Sequence, residues 1–571
     1  MVEKIASKSF FVSLWRLTRE YWRSEEKYRA AILLAAIIAL SLGQVYMLVV
    51  LNRWYNDFYT ALQEYKNEEI IRAVKDFCLI AAVYVSIAVY SYYLQQVLQM
   101  RWRTWMTSRY VENWLAARTY YLLQIFEKDT DNPDQRISDD IKLFVESTLS
   151  LTLGLIKNVV LFVSFAGILW SLSGSLDLSP YGVPVAIPGY MLWVTVLYAA
   201  AGTWLTDKTG RALGKLNFAQ QRFEADFRYS MVRLRENSEN VAFYKGERFE
   251  GDYFGKKFSI LIANLWKIVR KQKQVVALTS TYSQVSVIVP LALSMPRYLT
   301  RAINLGGLMQ ITSAFGRVQD ALSFFVDAYV SIAQWYSVVA RLTSFQRHMN
   351  EIRLKYRQEG QGYLEGAGNS LLLKDLSVNL PDGRELISRL NVDFAPGSTW
   401  IVKGPSGSGK SSLLRSLSGL WPYTGGEIVY PAGKKMFLPQ RSYLPLGSLR
   451  DALLYPGCPG AADESIKEAL LLCRLEWLTA MLMKEDDWSN IFSPGEQQRI
   501  AFVRALIHAP DWLFLDEATS AMDEALEREM YELLARRLSA STVISVGHRS
   551  TLNSFHRNQL VLACGGGWRV Q

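Results

Sequence analysis

Apolar residues gather in long blocks before about residue 342 and in short runs after it. Six blocks stand out: Tyr28 to Leu51, Phe77 to Leu98, Leu149 to Leu172, Met191 to Leu205, Val275 to Leu293, and a more polar stretch from Leu305 to Ala340. Each approaches the ~20 residues that a helix needs to cross a bilayer, which predicts six membrane spans, the fourth of them short. Further on, Thr399-Trp400-Ile401-Val402, Trp512-Leu513-Phe514-Leu515 and Thr542-Val543-Ile544-Ser545-Val546 are short apolar runs that read as buried strands of an α/β domain. The expected division is an N-terminal cytosolic or interfacial arm (1–27), a transmembrane domain with six helices (28–345), a linker (346–368) and a C-terminal α/β domain (369–571).

With 571 residues, half of them hydrophobic and 20% charged, the chain is too long for one core and too apolar for two purely soluble domains. Charge sets the expected orientation. Lys4, Lys8, Arg16, Arg19, Arg23, Lys27 and Arg29 lie in the N-terminal arm or at the first span's entrance, Lys208, Arg211, Lys215 and Arg222 follow the fourth, and Ser173 to Pro188 holds no Lys or Arg. By the positive-inside rule both ends of the chain face the cytoplasm. The net charge of +10 then needs no nucleic-acid partner. Phe10 to Arg29, with Trp15, Leu17, Tyr21 and Trp22 among its bases, is expected to lie at the membrane surface. The first dozen residues show no cleavable signal peptide. Cys78, Cys458, Cys473 and Cys564 have no metal spacing and are expected to be reduced.

The segments Arg101 to Glu146 and Thr206 to Lys273 are long, charged and rich in helix formers, and are expected to extend the spans into the cytosol as rods. Asn132-Pro133-Asp134-Gln135-Arg136 breaks the first of them, where a short coupling helix would fit. Solvated helix faces laced with i,i+4 ion pairs are the alternative reading of both segments.

In the sixth span Gln310, Ser313, Arg317, Asp320, Asp327, Ser331 and Gln334 recur at steps of three, four or seven, which puts them on one stripe of a helix. Ionisable groups at membrane depth are costly and face a watery cavity or one another. The stripe therefore predicts a hydrophilic translocation path; the alternative is an Arg317–Asp320 pair that only joins helices or lies below the membrane. Thr279, Ser280, Thr281, Ser283, Gln284 and Ser286 make the fifth span polar too, and Pro290 is a candidate kink.

Gly404-Pro405-Ser406-Gly407-Ser408-Gly409-Lys410-Ser411-Ser412 fits G-x-x-x-x-G-K-[ST] between a predicted strand and a predicted helix. Its glycines permit a tight turn whose N–H groups face phosphates, and the following helix adds its positive end. Lys410 can then reach the β- and γ-phosphates of ATP, and the Ser411 hydroxyl is placed for Mg²⁺. The apolar strand ending in Asp516-Glu517 supplies two carboxylates, Asp516 for Mg²⁺ and Glu517 as general base.

Ser493-Pro494-Gly495-Glu496-Gln497-Gln498-Arg499 resembles the signature of ATP-binding cassette (ABC) proteins, with Phe492 and Pro494 in place of the usual leucine and first glycine. Ser493 as helix N-cap, Pro494 at the first helical position and Glu496 closing a capping box keep that helix start intact. Phe437-Leu438-Pro439-Gln440 resembles the family's Q-loop, Ser520-Ala521-Met522-Asp523 its D-loop, and Gly547-His548-Arg549 its H-loop. The resemblance implies that Gln440 links metal and water to the membrane part and that His548 contacts the γ-phosphate. Leu380 falls where the family commonly stacks an aromatic ring on adenine, which leaves Tyr363 as a candidate substitute.

Over nearly its full length the chain resembles a half-size ABC transporter, similar to the bacterial SbmA/BacA-like group with a fused ATPase, including YddA-type and mycobacterial cobalamin transporters, and to the peroxisomal subfamily D fatty-acyl transporters. The resemblance implies an exporter-type helical domain followed by an α/β P-loop NTPase domain. It implies a homodimer in a bacterial inner membrane in which Gly404–Ser411 of one chain and Ser493, Gly495 and Glu496 of the other enclose each ATP. A hydrophilic peptide or cobalamin-like solute is the expected cargo; a fatty-acyl or lipid-type transporter and an ATP-gated channel or regulator are the alternatives.

Overall fold

The computed structural model describes residues 8–126, 132–177, 186–359, 363–365, 368–457 and 460–571. It forms two compact units, Met1–Asn350 and Glu351–Gln571.

The first unit is helical. A short amphipathic helix α1 (Lys8–Trp22) precedes α2 (Lys27–Gln63), α3 (Asn67–Leu115), α4 (Ile141–Ser173), α5 (Tyr190–Glu236), α6 (Glu247–Leu299), α7 (Leu305–Asp327) and the start of α8 (Tyr329–Glu359). Helices α2, α3, α4 and α6 lie in stretches long and apolar enough to cross a membrane. The expected fourth and sixth spans are also helical, but α5 and α7 fall short of that length-and-composition standard because charge and polarity interrupt their apolar stretches.

Of the two expected rods the second, Thr206 to Lys273, is built from two long helices, whereas the helix entering the first ends at Leu115, where Ala117 and Arg118 take positive φ before a short helix, Thr119–Phe126. At 1.5 Å per residue, the 47 residues of α5 and 53 of α6 run about 70 and 80 Å, well beyond a ~30 Å hydrocarbon core. These two helices pack along each other. The Asn132–Arg136 break carries only a three-residue helix, Pro133–Gln135, which runs through a π turn, Arg136–Asp140, into α4. The expected sixth span is two helices: α7 stops at Asp327 and α8 begins at Tyr329. Backbone bonds from Ala328 N to Phe324 O and from Ile332 N to Ala328 O carry the helical pattern across the junction.

Helix α7 occupies the middle of this unit, packed on α2, α4, α5 and α6. Ile311, Ala314, Val318 and Ala321 on one face join Val45, Phe165, Leu169 and Met191 in a buried cluster. At the end of α7 a Cβ on Gly306 would stand 2.1 Å from the Asn56 carbonyl, so glycine alone permits α2 to approach there. Helix α1 buries Phe10, Leu17 and Tyr21, with Tyr21 stacked on Trp102 at 5.3 Å and Phe10 set edge-on to Trp335 at 5.4 Å. Phe11, Val12 and Trp15 point away from this contact and are exposed.

The second unit is α/β. A six-stranded sheet has β3 (Thr399–Lys403), β5 (Lys435–Leu438), β6 (Trp512–Asp516), β7 (Thr542–Val546), β8 (Asn558–Leu562) and β9 (Trp568–Val570) in the order β9-β8-β3-β7-β6-β5. All pairings are parallel except that of β9. Its inner strands β3, β6 and β7 are buried on both faces, which is why they read as continuous apolar runs. A second sheet joins β1 (Leu371–Asn379), β2 (Glu385–Phe394), β4 (Thr424–Tyr430) and the strand Tyr363–Glu365. Helices α9 (Lys410–Leu417), α10 (Pro494–His508) and α11 (Glu524–Arg537) complete the frame of the site.

Candidate active site

Strand β3 ends at Lys403 and helix α9 begins at Lys410, so the predicted phosphate loop is the turn between them. Gly404, Gly407 and Gly409 all have positive φ, and a Cβ at Gly404 would approach the Leu562 carbonyl to 2.5 Å. Pro405, Ser406 and Gly407 form the exposed crest, while Ser408 is buried with its hydroxyl unpartnered. Lys410 Nζ curls back to donate to the Gly404 and Pro405 carbonyls at 2.9 Å each. Ser411 and Ser412 begin α9 in half-buried positions.

The Ser411 hydroxyl donates to Asp516 Oδ1 at 3.1 Å. Two neighbouring oxygen ligands of an octahedral ion at 2.0–2.1 Å stand about 2.9 Å apart, so this pair fits Mg²⁺ in separation and in donor chemistry. Burial pushes the Asp516 carboxyl above its ordinary value, with Glu517 adding to the shift and Ser411, Arg415 and Lys410 opposing it. A cation at that oxygen would favour the charged form.

Glu517 follows directly with φ of +48°, a left-handed conformation held by its N–H bond to the Val546 carbonyl at 3.1 Å. Such a conformation costs a non-glycine residue about 1–3 kcal/mol, and it turns the carboxylate off the strand axis. Gln440 Nε2 donates to Glu517 Oε2 at 3.1 Å, and His548 Nδ1 lies 3.9 Å from Glu517 Oε1. Loops following β5, β6 and β7 therefore converge on one carboxylate. This arrangement can hold a water beside an anion cradle and accept its proton.

The signature forms its capping box: Ser493 Oγ accepts from Glu496 N, and Glu496 Oε2 accepts from Ser493 N at 2.9 Å and from Ser493 Oγ at 2.8 Å. Gly495 packs closely on the D-loop segment: a Cβ there would stand 3.1 Å from the Ala521 carbonyl, so a larger residue would have to push that backbone aside by a few tenths of an ångström. Gly495 lies against Ala521 of the D-loop segment of its own chain; no contact within the chain joins Ser493, Gly495 or Glu496 to Gly404–Ser411 among the described residues.

Residues 17–299 match the family described as ABC transporter transmembrane region 2, and residues 387–520 match the family described as ABC transporter. An ABC transporter ATP-binding protein of Haemophilus influenzae is 37% identical over 97% of this chain and 93% of its own length. The chain belongs to the ABC transporter family. The Escherichia coli inner membrane ABC transporter ATP-binding protein YddA is 32% identical over 93% of this chain and 94% of its own length. The human lysosomal cobalamin transporter ABCD4 is 28% identical over 83% and 82%. This ABC transporter thus carries its membrane helices and its ATPase on one chain and couples ATP hydrolysis to transmembrane transport. It is a membrane-embedded half-transporter of a family that is typically dimeric.

In this transporter's membrane domain the polar stripe of α7 divides. Arg317 and Asp320 pair at 3.8 Å on an open face, with Ser313 half-buried near them and Gln334 exposed further on in α8. Gln310 instead is buried, and its backbone carbonyl accepts from Asn52 Nδ2 of α2 at 3.0 Å. The Asp327 side chain lies outside the described residues, as do those of Tyr363 and Cys458. Leu380 is half-buried in the β1–β2 turn, its N–H on the Arg384 carbonyl. Cys78, Cys473 and Cys564 are free thiols, and burial pushes Cys473 up to about 12.

Several residues escaped sequence reasoning. Lys157 in α4 donates to Gln44 Oε1 in α2 at 2.8 Å, a cation in the middle of an apolar run. The signal was available: Lys157 is the one charge between Leu149 and Leu172. Asp140, 2% exposed, accepts from Arg136 at 2.5 Å and from Arg341 at 2.6 and 2.8 Å. Nothing in the local sequence joins Asp140 to a residue 201 positions away.

Proposed function

We propose that the chain works as a homodimer in a bacterial inner membrane, spanning it several times, with its ATPase domains in the cytoplasm, and moves a hydrophilic solute such as a peptide or a cobalamin-like compound. The convergence of Gln440 and His548 on Glu517, beside the Ser411–Asp516 pair, carries the ATPase half of this reading. Gly404 to Ser412 cradle the phosphates of ATP, and Lys410 exchanges its loop carbonyls for β- and γ-phosphate oxygens. Ser411, Asp516 and Gln440 hold Mg²⁺, which supplies charge neutralisation at the phosphates. Glu517 accepts a proton from the attacking water, and His548 contacts the γ-phosphate. Ser493, Gly495 and Glu496 of the second chain close over that phosphate.

The polar face of α7 and α8 with Ser313, Arg317, Asp320 and Gln334, and the Lys157–Gln44 pair, support a hydrophilic path. Gln310 and Asp327 belong to the same stripe by sequence position. The name of the human relative, a cobalamin transporter, favours a solute of that class.

Proteoliposomes with the ATPase domains outward test the reading against labelled peptides, cobalamin and acyl thioesters. ATP-dependent accumulation of peptide or cobalamin against a gradient identifies export from the cytoplasm, and loss of preloaded solute against a gradient identifies import. Movement of acyl thioesters alone overturns the hydrophilic cargo, and movement only down a gradient makes the protein a gated channel.

A further inference from the structure

Gln498 and Arg549 grip one three-residue segment of the ATPase domain from two sides. Gln498 is 3% exposed and lies on α10, five residues past Ser493. Its Oε1 accepts from the Ala521 N–H at 3.0 Å, while its Nε2 donates to Ser520 Oγ at 3.1 Å and to the Gln440 carbonyl at 3.2 Å. Arg549, the neighbour of His548, donates to the Met522 carbonyl at 2.8 Å and to the Ser520 carbonyl at 3.1 Å. Its charge faces Glu527, 1% exposed, at 3.5 Å. Glu527 in turn accepts from the Thr519 and Thr551 hydroxyls at 2.6 Å each, closing the network on either side of Ser520–Met522.

The three residues Ser520, Ala521 and Met522 therefore cannot shift independently of the signature helix or of the loop that bears His548. The bonds are buried or partly buried, and the charge-assisted ones are about twice as strong as neutral ones. Removing one partner leaves polar backbone groups unsatisfied, which costs more than the bond contributed. Neither Gln498 nor Arg549 touches Gly404 to Ser412 among the described residues.

We propose that Gln498 and Arg549 are positioning residues that tie the signature helix to Glu517 and His548 of the same chain, so that ATP closing on Ser493 readies that chain's own site. This rests on the two-chain sandwich proposed above. Signature movement is passed through Gln498 to Ser520–Met522, and from there through Arg549 to the switch loop.

The full-length protein in proteoliposomes tests this with Arg549→Lys, Gln498→Glu and the double variant, each checked by thermal unfolding. Gln498→Glu keeps the acceptor for Ala521 and loses the donors, so it probes the relay even where Arg549→Lys does not fold. Each single variant is expected to lower kcat by about tenfold with KM for ATP within about threefold, and to bring the Hill coefficient for ATP to about one. The double variant should lose little more than the worse single one, because both act on one unit. Unchanged kcat and cooperativity in the single variants, or losses that multiply in the double, overturn the relay. Ser493→Arg assayed in parallel separates the two readings: normal hydrolysis by it removes the two-chain sandwich, whereas lost hydrolysis beside fully active Arg549→Lys and Gln498→Glu removes only the relay.

Discussion

The side-chain amide of Gln440 donates to Glu517 Oε2 over 3.1 Å, so the loop that follows the edge strand β5 holds the carboxylate just past the end of its neighbour β6. This contact orients Glu517 independently of its backbone strain. Glu517→Gln is expected to reduce ATP turnover by about a thousandfold while ATP still binds, because the base is lost and the phosphate loop is untouched. Single-turnover hydrolysis together with retained nucleotide checks it; turnover near the parent rate would remove Glu517 from the role of base.

Arg317 and Lys157 lie on different helices of the membrane domain and neither belongs to the ATPase unit. Arg317→Ala is expected to slow solute movement by about tenfold, the loss of one charge-assisted contact of ~1.4 kcal/mol, with basal hydrolysis within about twofold. Parallel transport and ATPase assays in proteoliposomes decide it. Equal losses in both would favour a pair with Asp320 that only joins helices.

Asp140 binds two guanidiniums in a buried setting, Arg136 from the preceding turn and Arg341 from α8. Asp140→Ala removes the carboxylate that both share, at an expected cost of about 3 kcal/mol. Thermal unfolding of the purified protein should show a lower Tm. A Tm unchanged from the parent would mean that the two arginines find equivalent partners.

His556 is buried between the Ser545 hydroxyl and the Leu552 carbonyl, each 2.8 Å away, and burial holds its imidazole below the ordinary value of 6.5. Lys403 pushes in the same direction, and the Leu552 carbonyl opposes. The unfolded chain therefore takes up a proton that the folded one resists. Stability is full above the ordinary value, falls as the pH drops through it, and levels off once the folded value is passed. Denaturant titrations between pH 8 and about pH 5 should show this decline, and His556→Gln should flatten it. An equal decline in both proteins would assign the dependence to other groups.

How much of this was legible beforehand varies with the range of the interactions. The phosphate loop, the Asp516-Glu517 strand end and the capping box at Ser493 are local: a few consecutive residues contain the strand, turn or helix start that gives them their geometry. The long apolar blocks were equally legible, because each helix satisfies its own backbone and its length follows from its composition. The one-residue irregularity of the last span at Ala328 was not, since its polar stripe and its helical hydrogen bonds continue through it.

Sequence alone thus determined the order of the domains, the ATP chemistry and the residue types that perform it, because these are written at short spacing. Tertiary structure decided which distant residues share a task. It brought Gln440, Glu517 and His548 together, joined the Asn52 amide to the Gln310 backbone carbonyl, set Lys157 on Gln44, and closed Gln498 and Arg549 on Ser520–Met522. The physical reason is that a buried polar side chain is specified by the partner that satisfies it, and in a folded chain that partner can lie hundreds of residues away.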